Sequence, residues 1–306
     1  MNDSLKKYLF EDRSTRVQTV NLTQTWAEAL GHQHYPPTIR RLLGELSAAA
    51  VLLTSNIKFD GSLILQLQGD GPISLIVVEC DTSLHVRATV KMRQEFVCPE
   101  NGTLQTLLNA NGNGRFAVIL DPKNRSEGMQ PYQGIVPMQG NSVAHVLEHY
   151  MKHSEQLNTR LWLAANDEKA CGLLLQQLPS TGGILAATQT TDETWERAVQ
   201  FAETLSTEEL LSTDEDTLIH RLYWEETLIA YEPIAVTWFC PCTRERVANM
   251  LKMLGSEEIA SILSERENIE ISCDFCGKPY VFDPVDCAKL FVNPDSFVVK
   301  GNTSSH

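Results

Sequence analysis

The spacing of apolar residues predicts a long helix followed by a β-hairpin. Pro36 and Pro37 favour the first turn of a helix. Downstream, apolar residues recur every three or four positions, as on one buried helix face: Ile39, Leu42, Leu43, Leu46, Ala50 and Leu53. From Ser62 the period changes to two, Asp70-Gly71 supplies a turn, and segment 73–79 returns as a buried strand. The chain thus passes from a core helix into antiparallel strands.

Strand-like runs continue to about residue 178. They cover residues 86–90, 115–120, 134–138, 159–165 and 170–178. A helix interrupts them, and its apolar face contains Val143, Val146, Leu147, Tyr150 and Met151. We predict an α+β fold in which residues 1–182 form an antiparallel-sheet core domain with packed helices. The stretch 179–183 contains no charge and is rich in Pro and Gly, which predicts a domain boundary there.

The composition is typical of a globular protein without a membrane span. Of the 306 residues, 42% are hydrophobic and 21% are charged. Residues 1–7 lead into no long apolar region, so we expect no cleavable export signal. The longest apolar runs, 48–53 and 73–78, are far shorter than the roughly 20 residues of a transmembrane helix. We therefore expect a cytoplasmic protein with no membrane partner, in which paired thiols indicate metal binding, catalysis or redox sensing before structural disulfides.

Negative charge is concentrated in one segment. The formal net charge of −14 argues against a nucleic-acid partner, because phosphate binding relies on a basic surface. Residues 191–232 contain twelve acidic residues and two arginines, with apolar stripes at helical spacing. We predict that residues 183–239 form a helical linker that docks on the core, since isolated helices of this length are marginal in water. Because like charges on its outer face repel one another, we expect this segment to have low local stability. The alternative is an ordinary solvated face of a stable helical subdomain.

Two close cysteine pairs near the end of the chain predict a metal site. Cys240 and Cys242 form a C-x-C pair, and Cys273 and Cys276 form a C-x-x-C pair 30 residues further on. Zn²⁺ takes four tetrahedral ligands, and two turns can each supply two thiolates. Gly277 favours the second turn because glycine readily takes positive φ. Four core thiols, or two local disulfides, are the alternatives to one zinc per chain.

The unit that contains these pairs, residues 240–306, is small. A unit of this size buries too little apolar surface for secure stability, so a structural metal is expected in it. Thr243 is the predicted N-cap of its first helix. Cys287 is either a core thiol or a fifth sulfur near the metal.

The remaining polar and thiol side chains suggest no catalytic site. His145, His149 and His153 share a helix face that we interpret as solvated rather than metal-binding. Cys80, Cys98 and Cys171 lie in apolar, strand-like contexts and are interpreted as buried thiols. The sequence contains no nucleophile-elbow, phosphate-loop or dinucleotide motif, so we expect a protein that is not an enzyme.

Several specific motifs resemble one known family. They are the C-x-C and C-x-x-C pairs with TRER at 243–246, YQGIVP at 132–137, SEQ at 154–156 followed by Thr159, and GLLLQ at 172–176 before Pro179. Together they make the chain similar, over nearly its whole length, to the redox-regulated heat shock protein 33 family, the bacterial 33 kDa chaperonins. The resemblance implies an ATP-independent holdase that is inactive when reduced and zinc-loaded.

The resemblance also implies how the parts would act. Residues 1–182 would be the client-binding core, 183–239 the metastable linker and 240–306 the redox switch. Oxidation would form the disulfides Cys240–Cys242 and Cys273–Cys276, release zinc and unfold the linker. Unfolding client proteins would then bind, and homodimerisation would accompany activation. Because a C-x-C disulfide closes a strained ring, we expect Cys273–Cys276 to form first.

Two other classes of protein remain as alternatives. A constitutive zinc-ribbon interaction module would need a basic or aromatic binding face. Its cations Arg244, Arg246 and Lys278 are few, and we expect them to balance the charge of a four-thiolate centre. A thiol oxidoreductase would need a reactive cysteine in a thioredoxin-like βαβ context, which the pattern does not predict.

Overall fold

The computed structural model divides the chain into two compact units, Met1–Phe239 and Cys240–His306. It describes residues 3–94, 96, 98–99, 101–124, 131–179 and 188–291. The predicted boundary between residues 182 and 183 lies outside these described residues. None of the helices in the described ranges combines the length and apolar character that a bilayer span requires.

The first unit is a mixture of strands and helices. Its strands are β1 (Ser4–Phe10), β2 (Thr15–Leu22), β3 (Gly61–Gln68), β4 (Ile73–Asp81), β5 (His85–Met92), β6 (Arg115–Pro122), β7 (Tyr132–Pro137), β8 (Thr159–Ala165), β9 (Ala170–Gln177), β10 (Leu228–Ala230), β11 (Ile234–Ala235) and β12 (Thr237–Trp238). Its helices are α1 (Gln24–Leu30), α2 (Pro37–Thr54), α3 (Leu104–Leu108), α4 (Val143–His153), α5 (Thr188–Ala202), α6 (Thr207–Ser212) and α7 (Glu215–Tyr223). The α+β class predicted from the sequence is confirmed.

The strands form two sheets in place of the single sheet that the alternation suggested. Within the described residues, one sheet has the order β10-β1-β2-β9-β8, with β11 also paired to β1, and the other has the order β12-β5-β4-β3-β6-β7. Each neighbouring pair is antiparallel except β12 and β5, which are parallel. Helix α2 contacts strands of both sheets. Leu43, Leu46 and Leu52 on this helix are fully buried, which makes α2 the centre of the main core.

Residues 228–239, which contain β10, β11 and β12, run from one sheet to the other, and we call them the strap. β10 and β11 pair with β1, and β12 pairs with β5. The linker therefore contains three short strands in addition to its helices. β1 itself lies in a segment that the apolar pattern left as a lead-in, and it is an interior strand only because the strap covers its outer edge.

The linker helices dock on the outer face of the first sheet, as the sequence predicts. A second apolar cluster joins strand residues to residues of α5, α6 and α7: Phe10, Val17, Ala164, Cys171, Leu173, Leu175, Ala198, Ala202, Leu205, Leu210, Leu218, Ile219, Leu222 and Tyr223. Lys6 Nζ lies 2.7 Å from Asp216 Oδ2, and Arg160 Nη2 lies 3.2 Å from Glu203 Oε1. These pairs are partly exposed, so apolar burial is the main contribution to docking.

The second unit has a small core. Its elements are α8 (Arg244–Leu254), α9 (Ser256–Glu265), β13 (Ile269–Ser272), β14 (Pro279–Phe282) and α10 (Pro284–Phe291). β13 and β14 form an antiparallel hairpin. Among the described residues of this unit, the fully buried apolar side chains are Leu251, Ile259, Ile269, Tyr280, Phe282 and Cys287. Six such side chains are few for independent stability, which favours a metal as an additional constraint.

Candidate metal centre

Two turns position the four paired cysteines in the second unit. Cys240 and Cys242 lie immediately before α8, whose start is fixed by Thr243 Oγ1 accepting a hydrogen bond from Arg246 N at 3.2 Å. Cys273 and Cys276 lie between β13 and β14. There Gly277 takes φ +66° and its N–H donates to Cys273 O at 2.8 Å, so the predicted need for glycine is confirmed.

The four sulfur atoms have the spacing of a tetrahedral metal site. All four Sγ atoms, of Cys240, Cys242, Cys273 and Cys276, lie within 4.8 Å of one another. The Cys240–Cys273 and Cys242–Cys276 Sγ distances are 3.6 Å and 3.3 Å. A tetrahedron with Zn–S bonds of about 2.3 Å has S–S edges of about 3.8 Å. The sulfurs are free thiols, so the turns place them at ligand spacing without a bridge. The residues present therefore fit a four-thiolate zinc ion.

The protonation of these thiols also favours a cation among them. Burial and the neighbouring thiols raise the pKa of Cys240, and they raise the pKa of Cys276 to about 12. Burial also disfavours the Cys242 thiolate, but hydrogen bonds from Tyr280 and the neighbouring thiols lower its pKa to about 7. The hydrogen bonds thus stabilise one thiolate, that of Cys242. Each further thiolate in the cluster would be repelled by this negative charge. A divalent cation removes that repulsion and allows all four to ionise.

Tyr280 contacts the candidate metal centre, and sequence reasoning missed it. Its Oη donates a hydrogen bond to Cys242 Sγ at 3.1 Å, while its ring is buried in the small core. A hydrogen-bonded tyrosine on β14 has no recognisable spacing relative to the ligands, so the sequence offers no signal for this role.

Two of the three predicted cations have other partners, and the third, Lys278, has its Nζ 5.6 Å from the Tyr280 ring. Arg244 Nη2 lies 2.6 Å from Asp286 Oδ2 and its guanidinium stacks 4.2 Å from the Phe282 ring. Arg246 Nη1 donates to Pro241 O at 3.1 Å, within the first turn. Arg244 therefore ties α8 to α10, and Arg246 holds the backbone of the turn between two ligands.

The substitution Tyr280→Phe is expected to weaken zinc retention about tenfold, because loss of an outer hydrogen bond typically costs 10- to 100-fold in affinity. The ring remains in the core, so the fold should persist. Zinc transfer from the reduced protein to a colorimetric chelator measures the effect, with Tyr231→Phe, an exposed tyrosine of the first unit, as the matched control. Equal transfer rates for the two variants would contradict the role assigned to the Tyr280 hydroxyl.

The other sequence candidates lie apart from this centre. Cys287 is buried in the core of the second unit and is not among the clustered sulfurs. Cys80 and Cys171 are buried, as predicted, and burial raises the pKa of each to about 12. The prediction for Cys98 is wrong: it lies in an irregular segment between β5 and α3, where it packs against the main core but is only partly buried.

The histidine face of α4 is largely open to solvent. His145 and His153 are exposed and His149 is half-buried, with its ring centroid 4.2 Å from that of His153. Within the described residues, the cysteine cluster is the group whose side-chain atoms lie close enough to hold a metal ion. The interpretation of these histidines as a solvated face is consistent with this exposure.

Comparison with known proteins gives consistent results over the whole chain. A family model described as Hsp33 protein matches residues 3–283. The 33 kDa chaperonin of Methylobacillus flagellatus is 40% identical over 307 residues, covering 100% of this chain and 99% of that protein. The 33 kDa chaperonin of Chromobacterium violaceum is 42% identical over 290 residues, covering 95% of this chain and 94% of that protein.

A solved structure has the same fold. The crystal structure of the 33 kDa chaperonin, an Hsp33 homologue, from Thermotoga maritima superposes with a TM-score of 0.76. The alignment covers 94% of this chain and 97% of that chain at 21% identity. At this identity, the likeness concerns the fold alone.

Proposed function

The chain belongs to the Hsp33 family, and from that premise we propose that it is a redox-regulated, ATP-independent molecular chaperone that holds unfolding proteins and is not an enzyme. The observation that carries the proposal is the cluster of four thiol sulfurs within 4.8 Å. This cluster begins one residue after the strap, whose last residue is Phe239. A change in the cysteines therefore acts on the chain directly beside the linker.

In the reduced state, one zinc ion per chain would be held by Cys240, Cys242, Cys273 and Cys276. Its contribution is structural: it fixes the two turns and keeps the thiols ionised. Oxidation by a peroxide or hypochlorite would remove two electrons from each pair, forming the Cys240–Cys242 and Cys273–Cys276 disulfides while the oxidant is reduced. Four thiolate ligands are lost in this way, so the zinc ion is released. The C-x-x-C pair closes first because its ring is less strained.

The linker, residues 183–239, is the proposed link between the switch and the client surface. Its helices α6 and α7 have only 6 and 9 residues, so they depend on docking against the first sheet. Undocking them would uncover Val17, Leu173 and Leu175 on the first sheet, which are fully buried beneath the linker. An exposed apolar face of this kind suits unfolded client proteins, and it also accounts for homodimerisation on activation. A net charge of −14 favours neither nucleic acid nor an anionic membrane surface as partner, consistent with action in the cytoplasm.

An aggregation assay tests this function. Light scattering of a thermally unfolding test protein is expected to fall when the oxidised, zinc-free chaperone is present without ATP. The reduced, zinc-loaded form should leave aggregation unchanged. Equal protection by both forms would exclude the redox switch, and protection by neither would exclude the chaperone. Peptide mapping of the oxidised sample checks the bridges, and a Cys240–Cys273 bridge would contradict the proposed pairing.

A constitutive zinc-ribbon interaction module is the second candidate. The observation that favours it is the apolar exposure of the second unit: Met253 is 82%, Val285 60% and Leu254 51% exposed. Such a module would bind its partner while zinc is bound and would give no protection that depends on oxidation. The aggregation assay separates the two functions, because only the redox-regulated chaperone predicts protection that appears on oxidation.

A further inference from the structure

The strap is held to both sheets by backbone hydrogen bonds. Its amides donate to carbonyls in or next to β1 and β5: Tyr231 N to Lys7 O at 3.0 Å, Val236 N to Asp3 O at 3.0 Å, Thr237 N to Leu84 O at 3.2 Å and Phe239 N to Val86 O at 3.2 Å. β1 and β5 would be edge strands without these bonds. The strap therefore covers one open edge on each sheet.

Most side chains of the strap contribute little to this pairing. Ile229, Tyr231, Ile234 and Phe239 are all exposed. Val236 enters the main core with 3% exposure, and Trp238 packs against that core partly buried. Recognition thus depends on an extended backbone and on two apolar side chains at positions i and i+2. Many sequences meet that requirement.

The part of the strap that contains β12 lies in a groove between β5 and α1. Thr25 on α1 donates its hydroxyl to Val236 O at 3.3 Å, and the His32 ring lies 5.7 Å from the Trp238 ring. A cavity of about 340 Å³ lies between this segment and α1, and its lining includes Thr25, Glu28 and residues 235–238. A strand edge on one side and a helix on the other form a geometry that accepts an added extended peptide.

We propose that the edges of β1 and β5 are binding sites for extended segments of unfolded proteins, and that the strap is a built-in occupant of these sites. The inference rests on the proposed function, in which oxidation causes the linker to undock from the first sheet. Once the strap leaves, each edge presents unpaired N–H and C=O groups that another strand can pair with. The segment that fits is an extended polypeptide with apolar side chains two residues apart, which unfolded proteins expose and folded ones bury.

Hydrogen exchange on the full-length protein tests the proposal. Those amides of β1 and β5 that face the strap, and not β2 or β4, are expected to be protected in the reduced protein and exposed after oxidation. They should be protected again when a reduced, carboxymethylated and permanently unfolded protein is added. Amides of the interior strand β3 serve as the control and should stay protected throughout.

A peptide with the sequence of residues 228–239 provides an independent probe. It is expected to bind the oxidised protein and to compete with the unfolded protein. The matched Thr237→Pro peptide lacks the N–H that Leu84 O accepts and should bind about tenfold more weakly, since a lost hydrogen bond and a ring clash act together.

The outcomes separate the two proposals. Size-exclusion chromatography shows separately whether the unfolded protein binds the oxidised chaperone. If the two co-elute while hydrogen exchange in β1 and β5 does not change, the edge sites are wrong and the chaperone function stands. If nothing co-elutes, the chaperone function fails and the edge sites fail with it. If protection returns with rising chaperone concentration alone, the occupant is a second copy of this chain, which also overturns the proposal.

Discussion

Removal of zinc from the reduced protein is expected to unfold residues 240–291 and leave the two sheets of the first unit folded. The second unit buries few apolar side chains, whereas a structural zinc contributes about 10 to 16 kcal/mol of apparent binding free energy. Without the metal, the thiolates repel one another and the two turns lose their constraint. The hairpin formed by β13 and β14 should then open. Hydrogen exchange of the Cys273 amide, which donates to Lys278 O at 3.0 Å, measures the change.

The Cys276→Ser variant gives the same test without a chelator, because a neutral hydroxyl is a poor zinc ligand. Cys287→Ser is the matched control, since it changes a buried thiol that lies outside the sulfur cluster. We expect zinc loss and an open hairpin in the first variant, and retained zinc in the second. A hairpin that stays protected after complete removal of zinc would show that the small core is sufficient and that the metal is not structural.

The substitution Ala202→Glu is expected to activate the chaperone without oxidation. Ala202 on α5 is fully buried against the first sheet. A buried, unpaired carboxylate costs ~3 kcal/mol or more. Undocking of the linker hydrates that charge at a low cost in free energy, because the acidic side chains of the linker already repel one another. The reduced, zinc-loaded variant should therefore suppress aggregation of the test protein.

Two cysteines report whether this activation occurs through the linker. Cys171 Sγ lies 3.4 Å from Leu210 O on α6, so maleimide labelling of Cys171 should follow undocking. Cys80, buried in the main core, should remain unlabelled if the first unit stays folded. The control is Gln200→Glu, which adds the same charge at an exposed position of the same helix. Labelled Cys171 without protection of the test protein would exclude the uncovered face as the client surface.

The sequence alone predicts the elements whose signals are local. Pro36-Pro37 and the apolar repeat place α2, and the alternation with Asp70-Gly71 places the hairpin of β3 and β4. The four cysteines are predictable for a similar reason, because a tetrahedral ion dictates both the ligand type and their pairing on tight turns. Motifs spread along the chain then identify the family.

β1 shows where local patterns fail. Lys6 and Lys7 interrupt the alternation that would mark a strand. The structure places Lys6 Nζ near Asp216 and lets Lys7 Nζ donate to Ser55 O at 2.6 Å, so both charges have distant partners. Those partners lie 210 and 48 residues away in sequence. A window of a few residues contains no information about either of them.

The sequence by itself determined the α+β class, the docked acidic helices and the four candidate ligands. The tertiary structure alone decided that there are two sheets, that the strap joins their edges and that the Tyr280 hydroxyl donates to Cys242 Sγ. The physical reason is that side-chain periodicity reports which face of an element is buried, whereas sheet order and edge pairing depend on backbone hydrogen bonds, which every residue type except proline can donate. Short strands held in this way leave almost no trace in the side-chain pattern.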